Sequence, residues 1–185
     1  MNSAVTLQDS IPVIETQRLR LRAPRAEDFE AYLAIWSEPA VFRFTLGVAP
    51  AREDAWMRYL RNLGHWALMG VGTWLIEERA SGRIIGDVGI FDFKRTVTPS
   101  LEGKLEIGWV LSGAAHGEGF ASEAARAAIN WLNRERGEQE IYCIISPENA
   151  SSLRLAEKLN FKPISSTIYK SHAIIMLRRE PGRLQ

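Results

Sequence analysis

His116-Gly117-Glu118-Gly119-Phe120-Ala121-Ser122-Glu123 decides how this chain is read. The run follows residues 105–111, whose apolar character suits a strand. It precedes a stretch to about residue 136 in which Ala121, Ala124, Ala125, Ala128, Ile129 and Leu132 recur at the spacing of one helix face. A strand, a glycine turn and a helix leave backbone N–H groups unpaired at the positive end of the helix dipole. Glycine lets that backbone turn tightly and come close to a ligand. Such a site takes anions, phosphates above all. Two familiar forms of it fit poorly. A mononucleotide loop needs Gly-Lys-Ser/Thr, and no lysine occurs between Lys104 and Lys158. A dinucleotide fold needs Gly-x-Gly-x-x-Gly at the start of a βαβ unit, whereas here a third small residue follows at once, two-thirds of the way along the chain. A plain surface turn stays open as an alternative.

Working outward, residues 14–23 alternate as a strand and Asp28 begins a helix to about residue 37. A second helix spans about 51–68. Strands at about 72–79 and 83–92 are joined by Ala80-Ser81-Gly82, a hairpin signal. After the strand at 103–111 and the helix at 119–136 come a strand at 141–145, a helix at 150–159 and strands at 161–169 and 173–179. The expected fold is α/β: a mixed, mostly antiparallel sheet of about seven strands with about four helices. The crossover helix makes 103–111 and 141–145 parallel. One domain over 13–179 is expected, with loose ends at 1–12 and 180–185.

The chain of 185 residues carries 23 basic and 22 acidic residues, a net charge of +1, so no basic field points to nucleic acid. One cysteine excludes an internal disulfide and suits a reducing, cytoplasmic setting. No apolar run approaches a membrane span of roughly 18 residues, and no signal peptide is apparent. The three histidines have no metal-ligand spacing, so no metal is expected.

A second segment narrows the ligand: Asn149-Ala150-Ser151-Ser152, running to Lys158-Leu159-Asn160-Phe161. A third is the opening Glu15-Thr16-Gln17-Arg18-Leu19-Arg20-Leu21-Arg22, followed by Asp28. With Gly117-x-Gly119-x-Ala121, these resemble the GNAT superfamily of acyl-CoA-dependent N-acetyltransferases. The branch resembled contains the ribosomal-protein N-terminal alanine and serine acetyltransferases, and the likeness runs from about residue 13 to 179. It implies acetyl-CoA as cosubstrate and a primary amine as acceptor, either a protein N-terminus or a small molecule. A homodimer is compatible with it. A non-catalytic acyl-CoA-binding sensor or interaction module is the alternative.

The resemblance also implies site residues. Gly117, Glu118, Gly119, Phe120, Ala121 and Ser122 would hold the pyrophosphate, and Val110 and Leu111 would offer backbone groups to the pantetheine arm. Asn149 would bond that arm or cap its helix, and Ser152 would touch it. Many family members carry His116 as Arg or Gln, and many have a tyrosine at Ala156 that protonates the leaving thiolate. With alanine there, Ser152 is the expected acid. On the strand at 103–111, Glu106, Gly108 and Val110 share one face. Glu106 is the expected base, through water, and Gly108 would leave space for the acceptor. Trp36, Phe42, Arg43, Phe44, Phe91 and Tyr169 are expected to line the acceptor slot, although aromatics at such spacing also serve as core. Cys143 lies in the strand beside the thioester but has no histidine to activate it, so direct transfer is expected rather than an acyl-cysteine.

Overall fold

Apolar residues alternate along most of the chain's extended runs, and a computed structural model, which describes residues 7–182, joins those runs into one sheet. Its eight strands are β1 (Ile14–Glu15), β2 (Leu19–Arg22), β3 (Thr73–Glu78), β4 (Ile84–Phe91), β5 (Glu106–Leu111), β6 (Ile141–Ile145), β7 (Lys162–Tyr169) and β8 (His172–Arg179). Their order is β1-β2-β3-β4-β5-β6-β8-β7. The helices are α1 (Leu7–Ser10), α2 (Phe29–Trp36), α3 (Pro39–Thr45), α4 (Arg52–Met69), α5 (Phe120–Arg136) and α6 (Ala150–Lys158). Every pairing is antiparallel except β5 with β6.

The count exceeds the expected seven strands and four helices for local reasons. The first strand breaks in two because Thr16 folds back on Leu19: Thr16 N donates to Leu19 O at 2.9 Å, and Leu19 N donates to Thr16 Oγ1 at 3.0 Å. Pro39 opens α3, where a fixed φ and a missing N–H do no harm. Part of the expected loose N-terminal end is ordered. Residues 7–10 form α1, Ile11 is buried, and Trp74 Nε1 donates to Pro12 O at 2.8 Å. Residues 1–6 and 183–185 of the expected loose ends lie outside the described residues. Among the described residues, no helix is long and apolar enough to cross a membrane.

Two cores position the site. On one face of the sheet α5 lies close, because its contact residues Ala124, Ala125 and Ala128 are small and fully buried against Val88, Ile90 and Ile107. Trp66, Trp74 and Trp131 close that core with edge-to-face contacts, ring centres 4.7–5.5 Å apart. On the other face α2 and α4 bury Phe29, Tyr32, Trp36 and Tyr59 over Leu75.

The sheet opens in the middle. β4 and β5 pair as far as Gly86↔Leu111, and β6 and β8 as far as Ile145↔Ile175. Between β5 and β6 there is one register pair, Glu106↔Tyr142. Beyond it each strand follows its antiparallel partner, and the two halves diverge. Ile107, Trp109 and Leu111 of β5 therefore turn unpaired backbone groups toward the gap, while Gly108 and Val110 bond to β4.

Candidate active site

The glycine turn stands at the wide end of that gap. Gly117 and Gly119 have φ of +84° and +79°, a left-handed backbone that other residues adopt only with strain. A Cβ on Gly117 would meet nothing within 4 Å, so the turn faces open space. Gly119 caps α5 and no side chain satisfies the first N–H groups of that helix. These donors are free for an anion.

The opening motif holds the turn from behind. Glu123, in the first turn of α5, accepts from Thr16 Oγ1 at 2.6 Å, from Arg18 N at 2.9 Å and from Arg18 Nε at 2.8 Å. Arg18 also donates to the Glu118 carbonyl at 2.9 Å and lies 4.4 Å over the Phe120 ring. Burial raises the Glu123 carboxyl's affinity for a proton, and these donors together hold it below the ordinary value.

Two clefts run along the gap. The first, of about 360 Å³, is walled by Gly117, Gly119, Phe120, Ala121 and Ser122, by Val110 and Leu111, by Asn149 and Ser152, and by α3. All the expected cofactor residues line it except Glu118, which lines a separate depression. The second cleft, of about 510 Å³, holds Trp36, Arg43, Phe44, Phe91, Gly108 and Tyr169 from the expected acceptor slot. The clefts share Arg43, Phe44, Thr45, Trp109, Val110, Asn149 and Ser152. At that junction Asn149 caps α6, its Oδ1 accepting from Ser152 N at 3.2 Å. The Ser152 hydroxyl accepts from Trp109 Nε1 at 3.3 Å, which leaves its own proton free to be donated.

Two expectations are corrected. Phe42 lines neither cleft, because at about 100° per residue it sits roughly 200° round α3 from Phe44. Glu106 has the expected face of β5 but lines neither cleft and is 1% exposed. Arg95 Nε donates to both of its oxygens, at 2.7 and 3.0 Å. Burial, against the pull of Arg95, leaves the Glu106 carboxyl above its ordinary value. Its partner Arg95 is what lines the second cleft. Gly108 lines the second cleft beside Phe91, whose Cζ lies 3.0 Å from where a Cβ would stand.

Asp87 is the acid that the second cleft does contain. It lies on β4 directly across from Val110 and is 7% exposed. Trp36 Nε1 donates to its Oδ2 at 2.7 Å. Burial pushes its carboxyl up from 3.8 to about 7, with the Trp36 hydrogen bond and the charge of Arg58 opposing. A carboxylate poised near neutrality in a cleft is suited to accept a proton. Its sequence signal is an aspartate beside Gly86 and two residues from Gly89 in an otherwise apolar strand, where a charge needs a reason. Cys143 also borders the cleft, but burial, reinforced by Glu106, pushes its thiol far up and disfavours the thiolate.

A family model for the GNAT acetyltransferase domain matches residues 18–162. The chain belongs to the GNAT acetyltransferase family. It is similar to the YkkB protein of Bacillus subtilis (strain 168), 30% identical over 159 residues that cover 84% of this chain and 87% of the relative. Among solved structures it resembles an acetyltransferase from Agrobacterium tumefaciens, with a TM-score of 0.78, 26% identity, and coverage of 92% and 95% of the two chains. RimL, a ribosomal-protein acetyltransferase solved with coenzyme A, shares the fold at a TM-score of 0.74 and 14% identity over 92% of this chain and 98% of its own. This GNAT chain is an N-acetyltransferase. Ala156, where many GNAT enzymes have tyrosine, is fully buried in the α5-side core, so α6 turns that position away from the junction. No group of three or more His, Cys, Asp or Glu among the described residues could hold a metal.

Proposed function

We propose that this enzyme moves the acetyl group of acetyl-CoA to a primary amine within a ternary complex, with Asp87 accepting the proton of the ammonium and Ser152 protonating the departing thiolate while it regains a proton from the nitrogen of the tetrahedral intermediate. The observation that carries this is the meeting of the two clefts at Val110, Asn149 and Ser152, beside the unpaired groups of β5. Acetyl-CoA supplies the activated acetyl group: an amide bond forms, the thioester breaks, and the sulfur leaves as the thiol. Every other contribution belongs to this chain. The α5 N-terminus and the turn at 117–122 take the pyrophosphate, with Arg154 and Lys158 adding positive charge to the same wall. The unpaired β5 groups at Trp109 and Leu111 offer backbone donors to the pantetheine arm and the thioester oxygen. An ammonium cannot attack, so the acceptor must lose a proton, and Asp87 is the carboxylate on the acceptor side. Glu106 keeps Arg95 in place instead of taking that proton. The single buried cysteine and the CoA requirement agree with work in the cytoplasm.

Calorimetric titration with acetyl-CoA, CoA and ATP, followed by thiol release with amine acceptors, tests this. Micromolar acetyl-CoA binding, weak ATP binding and amine-dependent thiol release are expected. Binding with no release from any amine would favour the acyl-CoA-binding module, and no acyl-CoA binding would overturn the assignment.

A further inference from the structure

The acceptor cleft is far more cationic than the chain as a whole. Arg43, Arg58, Arg61, Arg95 and Lys170 line it, with His172, against one acid, Asp87. The whole chain is only +1. These groups come from α3, from α4, from the loop after β4 and from the β7–β8 turn, so the fold gathers them. That turn has two residues, Lys170 and Ser171, at φ of +49° and +66°, a tight hairpin that holds Lys170 and His172 beside the cleft.

Most of these charges lack a counterion. Glu106 neutralises Arg95. Among the described residues, Arg43, Arg58, Arg61 and Lys170 make no ion pair, and Asp87 lies beyond ion-pair distance of Arg58. Burial, and then the nearby charges of Arg58 and Arg95, lower the proton affinity of Arg61, as expected of cations crowded together. Guanidinium groups lie over aromatic rings: Arg58 is 4.4 Å from Trp36, Arg61 is 4.6 Å from Phe93, and Arg95 is 4.9 Å from Phe93 and 5.2 Å from Tyr169. A stacked guanidinium keeps its N–H edge free for two parallel hydrogen bonds to a carboxylate or phosphate. Trp36 carries Arg58 on its face and donates to Asp87 from its edge, which sets the proton acceptor beside the cationic wall.

We infer that the acceptor is an amine that also carries an anionic group, a carboxylate or a phosphate, which Arg58, Arg61 and their neighbours bind while the amine faces Asp87. The inference rests on reading this cleft as the acceptor side of an acetyltransferase. It disfavours polyamines and other polycationic acceptors, which this wall would repel.

The test begins with calorimetry, to establish that the protein binds acetyl-CoA. Thiol release is then measured with L-glutamate and its diamide, with phosphoethanolamine and ethanolamine, and with spermidine. The anionic member of at least one pair should be favoured at least tenfold in kcat/KM, and which pair responds separates carboxylate from phosphate. Arg61→Gln should raise KM for that acceptor about tenfold and leave acetyl-CoA affinity unchanged, while Arg61→Lys should keep part of the preference. Equal or better use of the neutral amines or spermidine, an Arg61→Gln enzyme with its preference intact, or no reaction with any of them while acetyl-CoA is bound would each overturn the inference. Failure to bind acetyl-CoA would instead remove the acetyltransferase reading beneath it.

Discussion

Replacing Asp87 with asparagine separates the role of its charge from the role of its shape. The amide oxygen can still accept from Trp36 Nε1, now at 2.7 Å from the carboxylate, so the packing of α2 on β4 is retained. What is lost is a carboxyl whose folded value of about 7 stands well above the ordinary 3.8. At about 1.4 kcal/mol for each tenfold change in proton affinity, holding that group ionised in the fold costs roughly 4 kcal/mol. A raised folded value places the penalty at high pH. Below about pH 4 both states are protonated and the wild type bears none of it; the penalty grows as pH rises and is complete above about 7. The Asp87→Asn enzyme should therefore be more stable than wild type at pH 8, by up to roughly 4 kcal/mol, with the gap closing toward pH 4. Its turnover should fall by about a hundredfold or more, since general-base catalysis supplies roughly that much. The kcat/KM of the wild type should rise with pH to a plateau with a midpoint near 7, and the variant should lack that rise. Urea unfolding at pH 4, 6 and 8, together with kcat/KM profiles of both proteins, measures each quantity. A variant with wild-type activity at pH 8, or one less stable than wild type at every pH, would refute the reasoning.

Three further outcomes are expected. Gly119→Val puts a β-branched residue at φ +79° on the turn, and acetyl-CoA affinity measured by calorimetry should fall at least tenfold. Ser152→Ala should lower kcat by about ten- to a hundredfold with little change in acetyl-CoA affinity, and full activity would remove Ser152 as the acid. Glu123→Gln weakens the acceptor of Thr16 and Arg18, so thermal unfolding at pH 7 should show a loss of about 1–3 kcal/mol. Because the folded Glu123 value is depressed, that loss should be full above the ordinary value of 4.5 and should shrink as pH falls below it.

The legible parts of the site are those made by neighbours in sequence. Gly117 and Gly119 set the turn by their own backbone freedom, and the alanine stripe of α5 sets its packing face. Asn149 and Ser152 form a cap three residues apart. Such features depend on a few consecutive dihedral angles, which local residue types dictate. Strand periodicity puts Glu106 on one face of β5, but its burial against Arg95 depends on a loop that strand periodicity does not describe. Phe42 and Phe44 look alike in sequence, and the phase of a seven-residue helix separates them.

By itself, then, the sequence determined the strand, glycine turn and helix at 105–136, the mostly antiparallel sheet with one parallel crossover, and the GNAT resemblance. Only the tertiary structure assembled the second cleft. Trp36 and Asp87 are 51 positions apart, and the proton affinity of Asp87 is set by the water that packing excludes. Arg58 and Arg61 read as the solvated face of a helix until α4, the loop after β4 and the β7–β8 turn enclose one cleft. Desolvation and the sum of charges belong to the whole assembly of elements, and no window of the chain contains them.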